Sequence, residues 1–169
     1  MNYKEIKPGD LLIWDHGTGS VLDTIGINII KLMTVSKYVH VGIAFKVYDR
    51  LFVIEAVPGS GVRIMPVEGK DTFYYIPMNI KWKPSYANFL FNKLGESYSF
   101  INDIKAYFGE HIDENNHRWQ CVELAHSFYK FIGIDLGYVF TPAVIVDKLS
   151  SLGYHVIPSS NLIKDITNG

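Results

Sequence analysis

The sequence has a single cysteine, Cys121, among its 169 residues, so it cannot close an internal disulfide. That suits a reducing compartment. It also lacks a long apolar run. The nearest approach, VLDTIGINIIKLM, is short and carries Asp23, Asn28 and Lys31, which argues against a transmembrane segment. The opening stretch MNYKEIKPGDLLIW has no apolar run ahead of a small-residue cleavage site, so no secretory signal is expected and a soluble, cytoplasmic protein is. Neither sign of charge is in marked excess. Sixteen Lys and Arg face seventeen Asp and Glu, for a net charge of −1 without a basic run, which speaks against a nucleic-acid partner. No internal repeat, low-complexity tract or linker divides the chain, and a single domain over 1–169 is expected.

What is present is an ordinary globular balance, 48% apolar and 20% charged, enough to bury a core without staples. KPGDLLIW couples a turn signal to an apolar strand over Leu11 to Trp14. From Ser20 to Met33 apolar residues recur at helical spacing. KYVHVGIAFKVYDRLFVIEAV reads as two strands joined near Asp49-Arg50, with Val39, Val41, Ile43 and Phe45 on one face and His40, Gly42 and Ala44 on the other. PGSGVRIMPV and TFYYIPMNI add two further strands. Helical patterns follow over Pro84 to Leu94, closed by Gly95, then from Cys121 onward, then through TPAVIVDKLSSLG, with a last strand in YHVIP. Strands dominate the first half and helices the second, an α+β order with an antiparallel sheet packed against helices.

The stretch RWQCVELAHSFYKF poses the functional question. A lone cysteine on a helix is most often a small buried hydrophobe. Cys121, however, stands at the head of a helical pattern whose apolar positions are 122, 124, 125, 128, 129 and 132. A helix N-terminus favours the thiolate, the nucleophilic form. A nucleophile needs a base. His126, five residues on, is rotated about 140° from Cys121 around the helix. His111 and His117 lie in a polar segment with Asp113 and Glu114 but without a recognisable metal-ligand spacing, and His16 and His155 have no distinctive context. His40 differs, because it lies mid-strand on a face whose next members, Gly42 and Ala44, leave room for an approaching element or substrate. The competing reading is a buried strand histidine bonded to backbone.

Glu55, in FVIEAV, is a carboxylate inside an apolar strand and needs a partner. A hydrogen bond to His40 would supply one and would aim the other ring nitrogen at Cys121. With Asp49-Arg50 as a two-residue turn, Glu55 pairs with Ala44. It is then on His40's face but about 13 Å from it along the strand, a gap that twist, a bulge or another turn must close.

KPGDLLIW, TVSKYVHVGIAF, FVIEAVPGSGVRIMPV, LGESYSF and WQCVEL, in this order, resemble the circularly permuted NlpC-type, papain-like cysteine hydrolases, and the YiiX-like group in particular. The resemblance covers residues 6 to 135. It implies a papain-like fold and a permuted site: His40 as the HVGI histidine, Glu55 as the EA carboxylate and Cys121 as the nucleophile. It also implies hydrolysis or transfer at an amide or ester, commonly of cell-wall peptides or lipidated substrates. Where the family has tyrosine-cysteine-serine before Glu-Leu, this chain has Gln120, Cys121 and Val122. The expectation is therefore a cysteine peptidase or amidase acting through an acyl-enzyme on a peptide or acylated small substrate, with no metal or organic cofactor. Trp14, Tyr38 and Trp119 are candidates to line the cleft. A lipid acyltransferase or thioesterase with the same site, and a non-catalytic binding protein retaining the cleft, are the alternatives.

Overall fold

The computed structural model describes residues 3–15, 37–68, 72–98, 118–139 and 141–166. The helix expected from Ser20 to Met33, and the segment holding His111 and His117, lie outside them, as does His16. Alternating apolar residues build the strands β1 (Leu11–Trp14), β2 (His40–Val47), β3 (Arg50–Val57), β4 (Gly61–Pro66) and β5 (Tyr74–Ile76). Short pairs form β6 (Ser97–Tyr98), β7 (Arg118–Trp119) and β8 (Ile157–Pro158), and the helices are α1 (Pro84–Phe91), α2 (Cys121–Phe131) and α3 (Pro142–Ser151). A 3-10 helix runs over Ser159–Ile166.

Six strands make one antiparallel sheet in the order β4-β3-β2-β1-β5-β8, and β6 and β7 pair in parallel beside it. The α+β expectation thus matches the described residues. No helix among them is long and apolar enough to cross a membrane.

The period-2 alternation of the strands distributes the core over both faces of the sheet. Leu11, Ile13, Val41, Ile43, Ile54 and Ala56 pack with Val122, Leu124, Ala125 and Phe128 of α2 and with Ile145 and Leu149 of α3. The opposite face buries Leu12, Trp14, Ala44, Leu51, Val53 and Tyr75 beneath Tyr3, Phe73 and Leu162. That face was expected to be open around Gly42 and Ala44, and it is not. A Cβ on Gly42 would come within 2.4 Å of the Val53 side chain and 3.1 Å of the Ile54 carbonyl, so the missing side chain is the space through which β3 closes on β2.

The β2–β3 turn also differs from expectation. Val47 pairs with Arg50, so the two-residue loop is Tyr48-Asp49, with Tyr48 at φ +52°. Ile43 is opposite Ile54, and the same register continued brings Glu55 opposite Gly42 rather than Ala44. The shift moves Glu55 two residues closer to His40, about 7 Å along the strand.

Helix ends follow local chemistry. Pro84 and Pro142 open α1 and α3 in their first turns, where a missing N–H costs nothing. Thr141 Oγ1 accepts from the Val144 amide at 3.2 Å. The Glu123 carboxylate reaches back to the Gln120 amide at 2.7 Å, which anchors the head of α2 where Cys121 stands.

Candidate active site

His40 is the first residue of β2, opposite Trp14 at the end of β1. Its ring lies 5.6 Å from the Trp14 ring, tilted by 44°, so the indole is a shelf for the imidazole. From β3, Glu55 extends its carboxylate to the same point, with Oε2 2.8 Å from His40 Nε2. The imidazole also hydrogen-bonds Cys121, the residue that opens α2. With Nε2 facing Glu55, Nδ1 is the nitrogen left for the sulfur. His40, Glu55 and Cys121, which the sequence had singled out from three separate segments, therefore meet in one chain of contacts.

The electrostatics follow from burial. Glu55 is 0% exposed, Cys121 8% and the His40 side chain 13%. Burial alone would pull the imidazole's pKa down, but hydrogen bonds to Cys121 and Glu55 and the charges on both outweigh it and push His40 up to about 10. The protonated imidazole is thus the form this pocket favours. The backbone amides of the first turn of α2 have no carbonyl one turn back to receive them, so the helix presents donors beside the sulfur. Gln120, one residue before the cysteine, is 3% exposed, and its side-chain Nε2 has no hydrogen-bond partner among the described residues.

Sequence reasoning missed Arg63. It stands opposite Glu55 in the β3–β4 ladder. Its Nε and one terminal nitrogen both approach Glu55 Oε1, at 3.1 Å and 3.0 Å, and the other terminal nitrogen is 3.4 Å from Ser60 Oγ. The signal was present: Glu55 and Arg63 flank a tight hairpin at a spacing that pairs them across it. Gly61 shapes the same hairpin. It takes φ +70°, and the Glu96 carbonyl would lie 2.2 Å from any Cβ there, so the chain ahead of β6 can seat against Val62.

The three aromatic candidates separate. Trp14 and Trp119 are 1% and 5% exposed, so they are supports under the site rather than open cleft wall. Trp119 donates its indole N–H to Glu96 and carries Lys93 above its ring at 4.6 Å. Tyr38 is half-buried and meets Tyr74 edge-on at 5.7 Å, with the Lys37 ammonium 4.3 Å above the Tyr74 ring. Of the other histidines, His126 is half-buried on α2 and His155 is exposed before β8.

No family model matches the chain, and no curated protein does. Solved structures do. The chain is similar to the crystal structure of metalloprotein yiiX from Escherichia coli O157:H7, with a TM-score of 0.57 and 18% identity over 79% of this chain and 71% of that one. The likeness is one of fold: the chain has a YiiX-like α+β architecture.

Proposed function

We propose that the chain is a cysteine hydrolase that cleaves an amide bond through a Cys121–His40–Glu55 site and an acyl-enzyme, on a papain-like scaffold with permuted order. The observation that carries this reading is that His40 meets both others, with Nε2 2.8 Å from the buried Glu55 carboxylate and the imidazole hydrogen-bonded to Cys121. Chain order supports it as well: histidine, then carboxylate on the next strand, then cysteine on a later helix.

In this mechanism His40 accepts the Cys121 proton, and the thiolate forms a C–S bond to the amide carbonyl carbon. Donors at the head of α2 receive the oxyanion, the Cys121 backbone N–H first and the Gln120 side-chain amide as a second candidate. The C–N bond breaks and His40 gives its proton to the departing nitrogen. A water then attacks the thioester, losing its proton to His40, and the acid departs as the sulfur is released. Glu55 keeps the imidazole oriented throughout.

No step requires a metal or organic cofactor. The solved neighbour is a metalloprotein, which raises the question of a cation at this site. Among the described residues no group of three or more His, Cys, Asp and Glu suits a metal ion. Both Glu55 oxygens are engaged, and the Arg63 guanidinium beside Oε1 opposes a second cation. The described residues around Glu55 do not fit a metal.

The test is the rate of Cys121 alkylation by iodoacetamide against pH, in the wild type and in His40→Ala. The chain has one thiol, so the signal is unambiguous. Alkylation that persists well below the free-thiol pKa of about 8.5, and is lost with His40, supports the pair. An ordinary thiol profile in both proteins overturns it. With a substrate in hand, Cys121→Ser and His40→Ala abolish turnover with the fold intact, whereas Glu55→Gln only slows it.

A further inference from the structure

We infer that Arg63 is a positioning residue of this site: by pairing with Glu55 it leaves the charge of the His40 imidazolium free to balance a Cys121 thiolate. The inference rests on the cysteine-hydrolase reading and adds a fourth group to it.

The argument is a charge count inside a buried cluster. Glu55, with no exposure at all, accepts from His40 on Oε2 and from two Arg63 nitrogens on Oε1. A carboxylate buried to this degree stays charged only with a compensating cation. If His40 were that cation, imidazolium and carboxylate would cancel, and a thiolate at Cys121 would be an extra, uncompensated negative charge. Arg63 changes the sum. A guanidinium remains protonated at any pH of interest, and this one is 29% exposed, so water shares its solvation while its donors face the carboxylate. Arg63 and Glu55 then form one neutral pair, and His40 and Cys121 a second. The β3–β4 register places the two cross-strand partners on one face, so this arrangement belongs to the sheet and needs no substrate.

Other ionisable groups surround the site. Asp15 follows β1, Lys37 and Tyr38 precede β2, Glu123 and His126 ride on α2, and Lys93 and Glu96 lie by Trp119. Among the described residues the groups that act most strongly on the imidazole are Glu55 and Cys121, so the charge count is drawn over these three and Arg63.

A merely structural arginine and a charge-balancing one make opposite predictions. For a structural role, Arg63→Gln, Glu55→Gln and the double variant all loosen the site, and the double variant is worst. For charge balance the two single variants move in opposite directions. Arg63→Gln leaves one net negative charge when the thiolate forms, so alkylation begins at higher pH and is about tenfold slower at pH 6, the effect of a one-unit displacement. Glu55→Gln leaves one net positive charge, so the onset does not rise. The double variant restores neutrality and brings the onset back towards that of the wild type. Arg63→Lys keeps the charge and loses only the fork, and it stays within about threefold of the wild-type rate at pH 6.

The experiment is iodoacetamide alkylation of the full chain from pH 4 to 10 for these five proteins, with circular dichroism to confirm folding. A wild type that alkylates only as a free thiol overturns the cysteine-hydrolase reading itself. A wild type reactive at low pH, with Arg63→Gln unchanged or with no recovery in the double variant, overturns the role of Arg63 alone. Should Arg63→Gln fail to fold, Arg63→Lys decides: an onset raised as far as in a free thiol overturns the proposal, and an onset held near that of the wild type supports it.

Discussion

Among the described residues two carboxylates are buried in the sheet region, Asp10 at 1% exposure and Glu55 at 0%, and they are satisfied in opposite ways. Asp10 accepts from backbone only, from the Lys7 amide at 2.8 Å and the Met78 amide at 2.9 Å. It thereby ties the chain ahead of β1 to the segment that follows β5, while the neighbouring Gly9 carbonyl receives the Tyr129 hydroxyl of α2 at 3.2 Å. Burial pushes the Asp10 carboxyl up from its usual range, and the two amides with the charges of Lys7 and Lys46 offset this only in part. Glu55 faces charged side chains instead, an imidazole that gains and loses a proton and a guanidinium that keeps its charge. Backbone amides cannot titrate or swing away, so a carboxylate held by them is a latch. A carboxylate held between a histidine and an arginine has partners whose charge state is part of the chemistry.

The contrast is sharpest if the latch is broken. Asp10→Ala strips acceptors from two amides, one of them buried at Met78, and should lower stability by about 4 kcal/mol, the sum expected for two hydrogen bonds to a charged acceptor. Asp10→Asn keeps one carbonyl oxygen and should lose about half as much. Urea denaturation measures both. Where the variants remain folded, the pH onset of Cys121 alkylation should match the wild type, because the Asp10 carboxylate is bonded to the Lys7 and Met78 amides and not to the site. A shifted onset would break the division between latch and site.

Gly42→Ala attacks the other carboxylate without touching its charge. The added methyl meets the Val53 side chain at 2.4 Å and the Ile54 carbonyl at 3.1 Å, so β2 and β3 must part. Overpacking of this kind costs about 2 kcal/mol. Because Glu55 reaches His40 across this gap, the variant should slow alkylation at pH 6 as well as lower the denaturation midpoint. Loss of stability with an unchanged alkylation profile would show that the His40–Glu55 contact tolerates strand separation.

The two regions also respond differently to pH. His40 has its pKa raised from 6.5 to about 10, so its contribution to folding is fully present below about 6.5 and is lost as pH rises through about 10. Asp10 is likewise raised, from 3.8, which favours its protonated form in the folded chain. Its contribution is present below 3.8 and is lost as pH rises through the raised value. Denaturation midpoints taken from pH 6 to 10 should therefore fall in the wild type and flatten in His40→Ala, while Asp10→Asn keeps the alkaline fall. An equal slope in all three would remove His40 from the alkaline transition.

What the sequence revealed of this site follows from the same distinction. Cys121, His40 and Glu55 were legible because each violates its surroundings: a thiol at a helix start, an imidazole beside small residues, a carboxylate in an apolar strand. Asp10 drew no attention, since Pro8-Gly9-Asp10 looks like a turn whether or not its last member is buried. Arg63 was hidden for a related reason, because an arginine on a short strand alternating with Val62 and Ile64 looks like a solvent-facing residue until the register places it against Glu55. The register itself was misplaced by one loop position, because Tyr48 at φ +52° is not a residue that announces a left-handed turn. Gly42 was taken as an opening, yet its lack of a side chain is what lets Val53 pack over it. The strands β1 to β5 and the helices over Pro84–Phe91, Cys121–Phe131 and Pro142–Ser151 were readable because hydrophobic periodicity is local, whereas pairing across the sheet is not.

A third carboxylate isolates burial as the variable. Glu68 accepts from Arg50 at 3.4 Å and 3.1 Å, the same guanidinium–carboxylate chemistry that joins Arg63 to Glu55. The side chains of Arg50 and Glu68 are 62% and 45% exposed, however, so water solvates both charges whether or not they meet. Such a pair is worth about 0.5 kcal/mol or less and weakens with salt. Glu68→Gln should therefore leave both the denaturation midpoint and the alkylation profile within error of the wild type, whereas Glu55→Gln, the same change of one atom and one charge, should alter both. If the two substitutions cost the same, burial would not be what separates these carboxylates, and the charge count around Cys121 would lose its basis.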